Sequence, residues 1–482
     1  MKIVFAASEA APLVKTGGLG DVARDLPLAL SAHPDTEVSV FLPFYGSIKE
    51  KSDVKTERIG EFYVDLSWRH QYVGLYRLCT QDDRLRIYLI DHEYYFKRER
   101  LYGYDDDGER FAYFSKAILE SLVFLKECPD LIHCNDWQTA LLPILLRAFY
   151  GEVLGGAKTV FTIHNIEYQG WAGPDFLGDV LGLGEEYRNT LEFSGCLNFM
   201  KGAILSADAF TTVSETYAKQ ICDAKYAHGL EQIIAEHAFK LTGIVNGIDP
   251  NSNSPEYDKS IPCSYGASDV SKGKKACKEE LQKRLGLAVS ADTPLVGLIS
   301  RLVSHKGFDL LCAAAEDLLR EDVQIVLLGT GEERFEAFFR ELACRAPERV
   351  SANLLFSREF ASCIYAASDL FLMPSYSEPC GLSQLIAMRF GSVPIVHATG
   401  GLKDTVLPYS DVTGEGVGFS FDAYETNSMM GCLKNALSLY RGNKDAWNRI
   451  VQNGMTADVS WNRSAERYRK LFSRLISPSK ES

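Results

Sequence analysis

Residues 2–30 read KIVFAASEAAPLVKTGGLGDVARDLPLAL, and this stretch sets the pattern for the whole chain. An apolar run typical of a buried strand is followed by a glycine-rich turn and then by Val22, Leu26 and Leu30 at helical spacing. Short β-branched runs alternate with such helical patterns through most of the sequence. This alternation predicts an α/β fold with doubly wound parallel sheets.

The turn between the first strand and the first helix has the composition of a phosphate site. Gly17, Gly18 and Gly20 bring the backbone close to a ligand because they have no Cβ atom and can adopt positive φ angles. The helix that follows offers free N–H groups to an anion, and Lys15 adds a full positive charge. The sequence therefore predicts an anionic ligand at this turn.

Two known phosphate motifs do not fit the turn. GLGDVA matches the dinucleotide pattern G-x-G-x-x-A at Gly18, Gly20 and Ala23, but SEAAPLVKTG separates the turn from the strand. The next strand, EVSVFLPFY, ends without the acidic residue that would hold a ribose, and the P-loop pattern is absent here. An NAD-dependent dehydrogenase is therefore a weak alternative.

Composition limits the function classes. A chain of 482 residues with 46% hydrophobic content fits about two α/β domains. A net charge of −13 argues against nucleic acid or an anionic membrane as the main partner. The 12 cysteines show no C-x-x-C spacing, and we find neither a leader peptide nor an apolar run of membrane length, so we expect reduced thiols and a cytoplasmic protein.

The strand candidates predict two domains. They are KIVFAA, EVSVFLP, LRIYLID, LIHCND, KTVFTIHN and AFTTVS in the first half, and PLVGLISR, VQIVLLGTG, SANLLFS, DLFLMPS and VPIVHATGG in the second. Residues 251–276 are rich in Ser, Pro, Asn and Gly, which is typical of a linker. We predict two parallel-sheet domains at 1–248 and 249–457 with a ligand cleft between them, and a final helix in 458–482 that returns to the first domain.

Polar residues cluster where the predicted strands end, which is where ligands bind in open α/β sheets. Arg301 and Lys306 flank a strand-to-helix turn and are spaced to converge on a diphosphate, with a solvated basic pair as the alternative. Thr399, Gly400 and Gly401 precede a helix, where they offer N–H groups to an oxyanion or simply form a helix start.

Glu378, His164 and an acidic run each allow more than one role. Glu378 lies just before a helix and either caps it or accepts hydrogen bonds from sugar hydroxyls. His164 is a candidate general base, hydrogen-bonding group or interior histidine. Asp105, Asp106 and Asp107 contain a D-x-D pattern, but a solvated loop is favoured over a metal site, so we expect no metal and assign the cationic role to Lys15, Arg301 and Lys306.

Six ordered motifs give the chain a close resemblance to the bacterial glycogen synthases and plant starch synthases. They are KTGGLGD, HNIEYQG, NGID, SRLVSHKG, SEPCGL and TGGLKDTV, and the resemblance continues to DVSWNRSAERY. It implies a GT-B fold of two Rossmann-like domains. It also implies the transfer of glucose from a nucleotide diphosphate glucose to the 4-hydroxyl at the non-reducing end of an α-1,4-glucan such as glycogen. ADP-glucose is the favoured donor and UDP-glucose the alternative, and the resemblance also implies retention of configuration and no cofactor.

The resemblance also assigns roles to residues. Lys15 would approach the donor diphosphate, Arg301 and Lys306 would neutralise the leaving phosphate, Glu378 would hold glucose hydroxyls, and His164 would line the reacting face; these are the catalytic candidates. The substrate-binding candidates are Gly17, Gly18, Asn165, Asn246, Cys380, Gly381, Leu382, Thr399, Gly400 and Gly401, with Asp21, Tyr95, Asp136 and Trp137 on the acceptor side.

The residues also bear on the mechanism. A retaining glycosidase uses two nearby carboxylates, and we find no convincing pair. We therefore favour front-face transfer, partly on the family resemblance, in which fixed cations stabilise the leaving phosphate and a phosphate oxygen accepts the acceptor proton. Two departures lie near the donor: His305 stands where the family often has Gln, and GVGFSF replaces a threonine-containing version of that segment.

Other functions stay open on the sequence alone. Within enzymes they are another GT-B transferase or a pyridoxal-dependent phosphorylase, although a phosphorylase would be much longer. A catalytically silent nucleotide-sugar or glucan-binding protein is the alternative of a different class. The presence of all five catalytic candidates argues against it, because a silent relative is expected to have lost some of them.

Overall fold

The structure is a computed structural model that describes residues 1–79 and 84–477. The chain divides into two compact units. The first contains Met1–Asn246 together with the segment that starts at Trp461, and the second contains Gly247–Ser460. Each unit is organised around a large hydrophobic core.

The first unit is built on a large sheet. Its strands are β1 Lys2–Ala6, β2 Glu37–Pro43, β3 Thr56–Leu66, β4 Arg69–Leu78, β5 Leu85–Asp91, β6 Leu131–Asn135, β7 Lys158–Ile163, β8 Trp171–Ala172, β9 Glu192–Phe193, β10 Cys196–Asn198, β11 Ala209–Thr212 and β12 Leu241–Gly243. Nine of them pair in the order β12-β11-β7-β6-β1-β2-β5-β4-β3, while β8, β10 and β9 form a small antiparallel sheet. In the large sheet eight strands run in the same direction, and β4 runs in the opposite direction.

Helices cover the sheet of the first unit. They are α1 Gly18–Ser31, α2 Gly46–Lys49, α3 Glu93–Phe96, α4 Asp107–Leu125, α5 Leu142–Phe149, α6 Gly151–Leu154, α7 Phe176–Asp179, α8 Arg188–Leu191, α9 Phe199–Ser206, α10 Glu215–Gln220 and α11 Glu231–Glu236. Strands β1, β6 and β7 are almost entirely buried, which explains why they are continuous apolar runs rather than alternating ones.

The second unit has a six-stranded parallel sheet. Its strands are β13 Leu295–Ile299, β14 Gln324–Leu328, β15 Val350–Asn353, β16 Leu370–Met373, β17 Val393–His397 and β18 Phe419–Phe421, in the order β15-β14-β13-β16-β17-β18. Its helices are α12 Val270–Leu285, α13 Phe308–Arg320, α14 Glu333–Arg345, α15 Arg358–Ala367, α16 Ser383–Arg389, α17 Gly400–Thr405, α18 Thr426–Gly442 and α19 Lys444–Thr456.

One more helix, α20 Trp461–Ile476, belongs to the first unit and packs against α1. The rings of Tyr468 and Phe472 lie 5.3 and 5.6 Å from the imidazole of His133 on β6. Five apolar side chains of α20 are part of the core of the first unit. The helix is therefore an integral part of that core.

Two features differ from the sequence predictions. β3 and β4 form a long antiparallel hairpin, which the strand predictions missed. Residues 251–276, predicted as a linker, lie within the second unit, and their last part belongs to α12. Only Val270, Cys277 and Leu281 bury apolar side chains on this helix, so its apolar stripe is too sparse to stand out in the sequence.

None of the helices in the described residues is both long enough and apolar enough to cross a membrane.

Candidate active site

The predicted site residues follow strands that are neighbours in each sheet. In the first unit the loops after β1, β6 and β7 lie side by side. After β1 the chain adds strands on one side of β1, and from β6 it adds them on the other side, so the order of the strands reverses between β1 and β6. In the second unit the loops after β13, β16 and β17 lie side by side, and the order of the strands reverses between β13 and β16. Such reversal points at the carboxyl edge of a parallel sheet are where α/β proteins bind ligands.

A buried carboxylate of the chain occupies the N-terminus of α1. Glu9 accepts hydrogen bonds from the N–H and hydroxyl of Thr16 at 2.8 and 2.6 Å, and from the N–H groups of Gly17 and Gly20 at 3.1 and 3.0 Å. The prediction that a ligand anion takes these donors is thus corrected for Gly17 and Gly20. The carboxylate of Glu9 holds the turn in shape instead.

The glycines of the turn have different environments. None of Gly17, Gly18 and Gly20 has a positive φ angle, so that part of the prediction is wrong. A Cβ atom on Gly20 would lie 2.8 Å from Cγ of Lys15, whereas a Cβ atom on Gly18 would meet nothing within 4 Å. Gly20 is therefore required by the packing of Lys15, and Gly18 borders open space. The Lys15 ammonium is 2.6 Å from Asp21.

Asp136 connects the loops after β6 and β7. Its carboxylate accepts hydrogen bonds from the N–H groups of His164 at 2.7 Å and Asn165 at 3.4 Å. Burial, with a smaller contribution from the negative charge of Glu9, raises the pKa of Asp136 to about 7. Asp136 also has a φ of 55°, an uncommon value for a residue other than glycine. The loop is thus held in a costly conformation at the edge of the sheet.

The hydrogen bonds define which nitrogen of His164 carries the proton. The Asn135 amide nitrogen donates to the carbonyl of Ala6 at 3.1 Å, so its oxygen must face Nε2 of His164, 3.0 Å away. Nε2 therefore donates, and Nδ1 is the acceptor of the neutral ring. Burial lowers the pKa of His164 to about 3, so the ring is neutral at physiological pH.

Three other candidates of the first unit differ in accessibility. Asn246 is buried, and its amide oxygen has no hydrogen-bond partner in the described parts of the chain, residues 1–79 and 84–477. Trp137 is half-buried and packs edge-on against Phe111, with ring centroids 5.2 Å apart. Tyr95 is buried, and its hydroxyl donates to Glu109, so its side chain lies beneath the surface rather than on it.

In the second unit Lys306 and Glu378, predicted separately, form an ion pair. The ammonium lies 2.7 Å from Oε2 of Glu378, and Ser375 also donates to that oxygen at 3.3 Å. Oε1 of Glu378 makes no hydrogen bond within the described residues. Arg301 is exposed, and its side chain has no carboxylate partner in residues 1–79 and 84–477. A free cation and a carboxylate oxygen are thus presented at one edge.

The two glycine turns of this edge pack directly on each other. The N–H of Gly401 donates to the carbonyl of Glu378 at 3.1 Å, so this donor is already used within the chain. A Cβ atom on Gly400, whose φ is 43°, would lie 2.0 Å from the same carbonyl oxygen. Thr399 immediately precedes these glycines and is buried. The turn of Glu378 can adopt its position only because glycines lie beneath it.

The remaining residues of that turn face its interior and its rim. Cys380 is buried, and Gly381 has a φ of 73°. Leu382 is half-buried and immediately precedes α16. The Gln384 amide donates to the carbonyls of Cys380 and Gly381 at 3.1 and 3.0 Å, which fixes the turn from below.

The acidic run after Tyr104 has structural partners. Asp106 receives two hydrogen bonds of 2.6 Å from Arg98, and Asp107 pairs with Arg110. Asp106 and Asp107 are therefore neutralised by arginines and are not simply solvated as predicted. Over residues 1–79 and 84–477, no cluster of three or more His, Cys, Asp or Glu side chains has an arrangement suited to a metal ion.

Two residues at the carboxyl edges of the two sheets, Glu9 and Phe356, were not predicted from the sequence. Glu9 lies in SEAAPLV, which was treated only as a separator. It is nine residues before the start of α1, whereas capping signals lie next to a helix start, so no local signal marks it. Phe356 follows β15, and its side chain is 90% exposed at the carboxyl edge of the second sheet. Phe356 falls inside the predicted strand SANLLFS, whereas β15 ends at Asn353, so its place in the loop after the strand was not recognised.

Comparison with known proteins identifies the class. Residues 2–236 match the family described as starch synthase catalytic domain, and residues 280–445 match glycosyl transferases group 1. The fold is therefore that of a GT-B glycosyltransferase, as predicted.

Relatives of similar length identify the family. A glycogen synthase of Clostridium acetobutylicum is 47% identical over 98% of this chain and 99% of its own. A glycogen synthase of Streptococcus agalactiae is 46% identical over 98% of this chain and all of its own. The chain belongs to the glycogen synthase and starch synthase family, and it is a hexosyltransferase.

Solved structures agree with this assignment. The catalytic domain of starch synthase IV from Arabidopsis thaliana, solved with bound ADP and acarbose, is 35% identical, with a TM-score of 0.90 over 98% of this chain and 99% of that one. A sucrose-phosphate synthase from Thermosynechococcus elongatus, 20% identical with a TM-score of 0.61 over 99% of this chain and 100% of that one, shares the fold.

Proposed function

We propose that this protein transfers glucose from ADP-glucose to the 4-hydroxyl at the non-reducing end of an α-1,4-glucan, with retention of configuration. The starch synthase of similar structure binds ADP and acarbose, and many relatives are named glycogen synthase. The observation that carries the proposal is the exposed Arg301, which has no carboxylate partner among the described residues and lies on the same sheet edge as the Lys306–Glu378 pair. We also propose that the enzyme is cytoplasmic and needs no metal.

The donor sites follow from the available atoms. Arg301 offers a bidentate guanidinium to the diphosphate, and Lys306 supplies a second cation. Oε1 of Glu378 is available to accept a hydrogen bond from a glucose hydroxyl, because Lys306 and Ser375 contact only Oε2. The unpartnered amide oxygen of Asn246 is a further acceptor for a sugar hydroxyl, which would remove the cost of leaving it buried and unpaired.

Phe356 is a candidate contact for the nucleobase. Its ring presents a flat apolar face to solvent at the carboxyl edge of the second sheet. Aromatic rings gain from stacking against other flat π systems. Stacking on adenine would leave recognition of the diphosphate to Arg301 and Lys306.

The proposed chemistry is metal-free front-face transfer. The bond between the anomeric carbon and the leaving phosphate oxygen breaks, the acceptor 4-oxygen bonds to the same face of that carbon, and its proton passes to the phosphate. Arg301 and Lys306 stabilise the charge that develops on the phosphate, which lowers the barrier because the charge is largest in the transition state. The neutral imidazole of His164 is suited to hydrogen bonding rather than to donating a proton from a cation.

The test follows labelled glucose from ADP-glucose and, in parallel, from UDP-glucose into glycogen, with and without EDTA. Arg301→Ala is expected to lower kcat/KM for the donor by a factor of about 100, equivalent to about 3 kcal/mol. Arg320→Ala is the matched control, because Arg320 is an exposed arginine of the same unit paired with Asp317. Transfer that EDTA abolishes would contradict the metal-free proposal.

The bond that forms is tested separately. Digestion of the labelled product by an α-specific glucosidase is expected to release the label, whereas release only by a β-specific enzyme would contradict retention. If the folded protein transfers glucose from neither donor, the glucosyltransferase proposal is wrong.

A further inference from the structure

We propose that Trp68 and Tyr94, here called the aromatic pair, form a distal binding site for the glucan acceptor. This inference rests on the proposed function. Both rings lie in the first unit and are largely exposed, at 73% for Trp68 and 69% for Tyr94. Single exposed aromatic residues are common, so exposure alone carries no conclusion.

The two rings are held in the same way. The guanidinium of Arg69 lies 4.4 Å from the ring centre of Trp68, and Asp179 anchors Arg69 at 2.7 Å. Asp179 also accepts a hydrogen bond of 2.8 Å from the indole N–H. The Trp68 ring is thus fixed by a stacked arginine and by a hydrogen bond at its edge.

Tyr94 repeats this arrangement with other residues. The guanidinium of Arg98 lies 5.3 Å from the ring centre of Tyr94 and is anchored by two hydrogen bonds of 2.6 Å to Asp106. In both cases one face of the ring is covered by a cation and the remaining surface is open to solvent. A ring that is already ordered loses little entropy when a ligand stacks on it.

The aromatic pair lies at the same sheet edge as the candidate active site. Trp68 is in the turn between β3 and β4, and Tyr94 follows β5. β3 and β5 run parallel to β1, so both rings lie at the carboxyl edge of the sheet. The loops after β7, β6 and β1 lie along the same edge. At about 4.8 Å between neighbouring strands, the distance along this edge from β1 to β3 is about 19 Å.

Side-chain contacts connect the two rings of the aromatic pair through the buried Tyr95. Tyr94 packs against Tyr95 with ring centroids 5.3 Å apart, and the hydroxyl of Tyr95 donates to Glu109. Glu109 lies 3.5 Å from Arg69, which stacks on Trp68. Tyr95 is buried and therefore supports the surface, while the two exposed rings are the groups that a ligand would touch.

The chemistry of the pair fits a long carbohydrate. A pyranose ring has an apolar face that can stack on an aromatic ring, and its hydroxyls can donate to the half-exposed carboxylate of Asp179 beside Trp68. A short acceptor would fill the reacting position without reaching the pair, whereas a long glucan along the edge would reach it. The pair is therefore expected to favour long acceptors.

The test compares glycogen with maltotriose as acceptor at saturating ADP-glucose. Trp68→Ala and Tyr94→Ala are each expected to lower kcat/KM for glycogen by about three- to tenfold and to leave kcat/KM for maltotriose unchanged. Phe239→Ala is the matched control, because Phe239 is 82% exposed in the same unit and directly precedes β12, at the opposite edge of the sheet. Equal effects on both acceptors, or none, would overturn the proposal.

A second measurement does not depend on activity. Retardation of the full-length protein in a gel that contains glycogen is expected to weaken in Trp68→Ala and to recover in part in Trp68→Phe, which keeps a flat ring. Unchanged retardation in Trp68→Ala would refute the aromatic pair even if the protein is an active synthase. Absence of transfer by the wild-type protein would instead refute the proposed function.

Discussion

At the scale of single residues, the carboxylate of Glu9 accepts the hydrogen bonds of Gly17 and Gly20 that a ligand phosphate was predicted to accept. It accepts four hydrogen bonds from Thr16, Gly17 and Gly20 at the start of α1. Such a carboxylate is favoured there because it meets unpaired N–H groups and the positive end of the helix dipole. The shape of the Lys15 turn therefore depends on a side chain that no phosphate motif contains.

We expect Glu9→Gln to raise KM for the donor about tenfold with a smaller change in kcat. A glutamine has one acceptor oxygen, and its amide hydrogens would face N–H groups of the turn. The hydrogen bonds that hold the turn would therefore lose about 1 to 2 kcal/mol. Steady-state kinetics with Glu50→Gln, an exposed acid, as control measure this. An unchanged KM would show that the turn is held by other contacts.

The glycine beneath the Glu378 turn gives a second prediction. A Cβ atom on Gly401 would lie 2.2 Å from the carbonyl oxygen of Cys380, so Gly401→Ala must displace the turn. We expect kcat/KM to fall more than tenfold and stability to fall by about 1 to 3 kcal/mol. Gly442→Ala is the control, because a Cβ atom there meets nothing within 4 Å. Equal activity of the two variants would contradict the prediction.

At the scale of elements, the docking of α20 on the sheet is linked to pH through His133. Burial lowers the pKa of this histidine to about 3, compared with about 6.5 in an unfolded chain. Between these values the unfolded state binds more protons, so the free energy of unfolding decreases as the pH falls below about 6.5. The rings of Tyr468 and Phe472 that surround His133 belong to α20, so this helix is destabilised with it.

We expect His133→Gln to lose less stability than the wild type between pH 7.5 and pH 5, by about 2 kcal/mol. Urea titrations at both pH values give the comparison. The raised pKa of Asp136 has the opposite dependence but is common to both proteins, so it cancels in the difference. Parallel curves for His133→Gln and the wild type would reject the linkage.

The elements also show what the sequence could predict. Strands such as β1, β6, β13 and β16 are short, apolar and followed by polar residues, so each is recognisable locally. The hairpin of β3 and β4 alternates weakly and lies near the sheet edge, and it was missed. The Lys306–Glu378 pair joins loops after β13 and β16, which are neighbours only in the folded sheet. Pairing between distant segments is not encoded in local spacing.

At the scale of the whole molecule, the two units have separate cores. A chain with separate cores is not expected to unfold in a single two-state transition. We expect two transitions in calorimetry, and we expect ADP to raise the one that Gly401→Ala lowers, because binding stabilises the unit that holds the ligand. ADP raising only the other transition would contradict the donor site assigned to Arg301 and Lys306.

The return of α20 to the first unit has a consequence for synthesis of the protein. The ribosome makes all of Gly247–Ser460 between the last strand of the first unit and this helix. At about 5 to 20 residues per second, the delay is roughly 10 to 40 s. During that time the apolar surface around His133 and Phe5 lacks its cover, so the nascent chain presents a binding surface for chaperones. The first unit to be translated is thus completed only after the whole of the second has been synthesised.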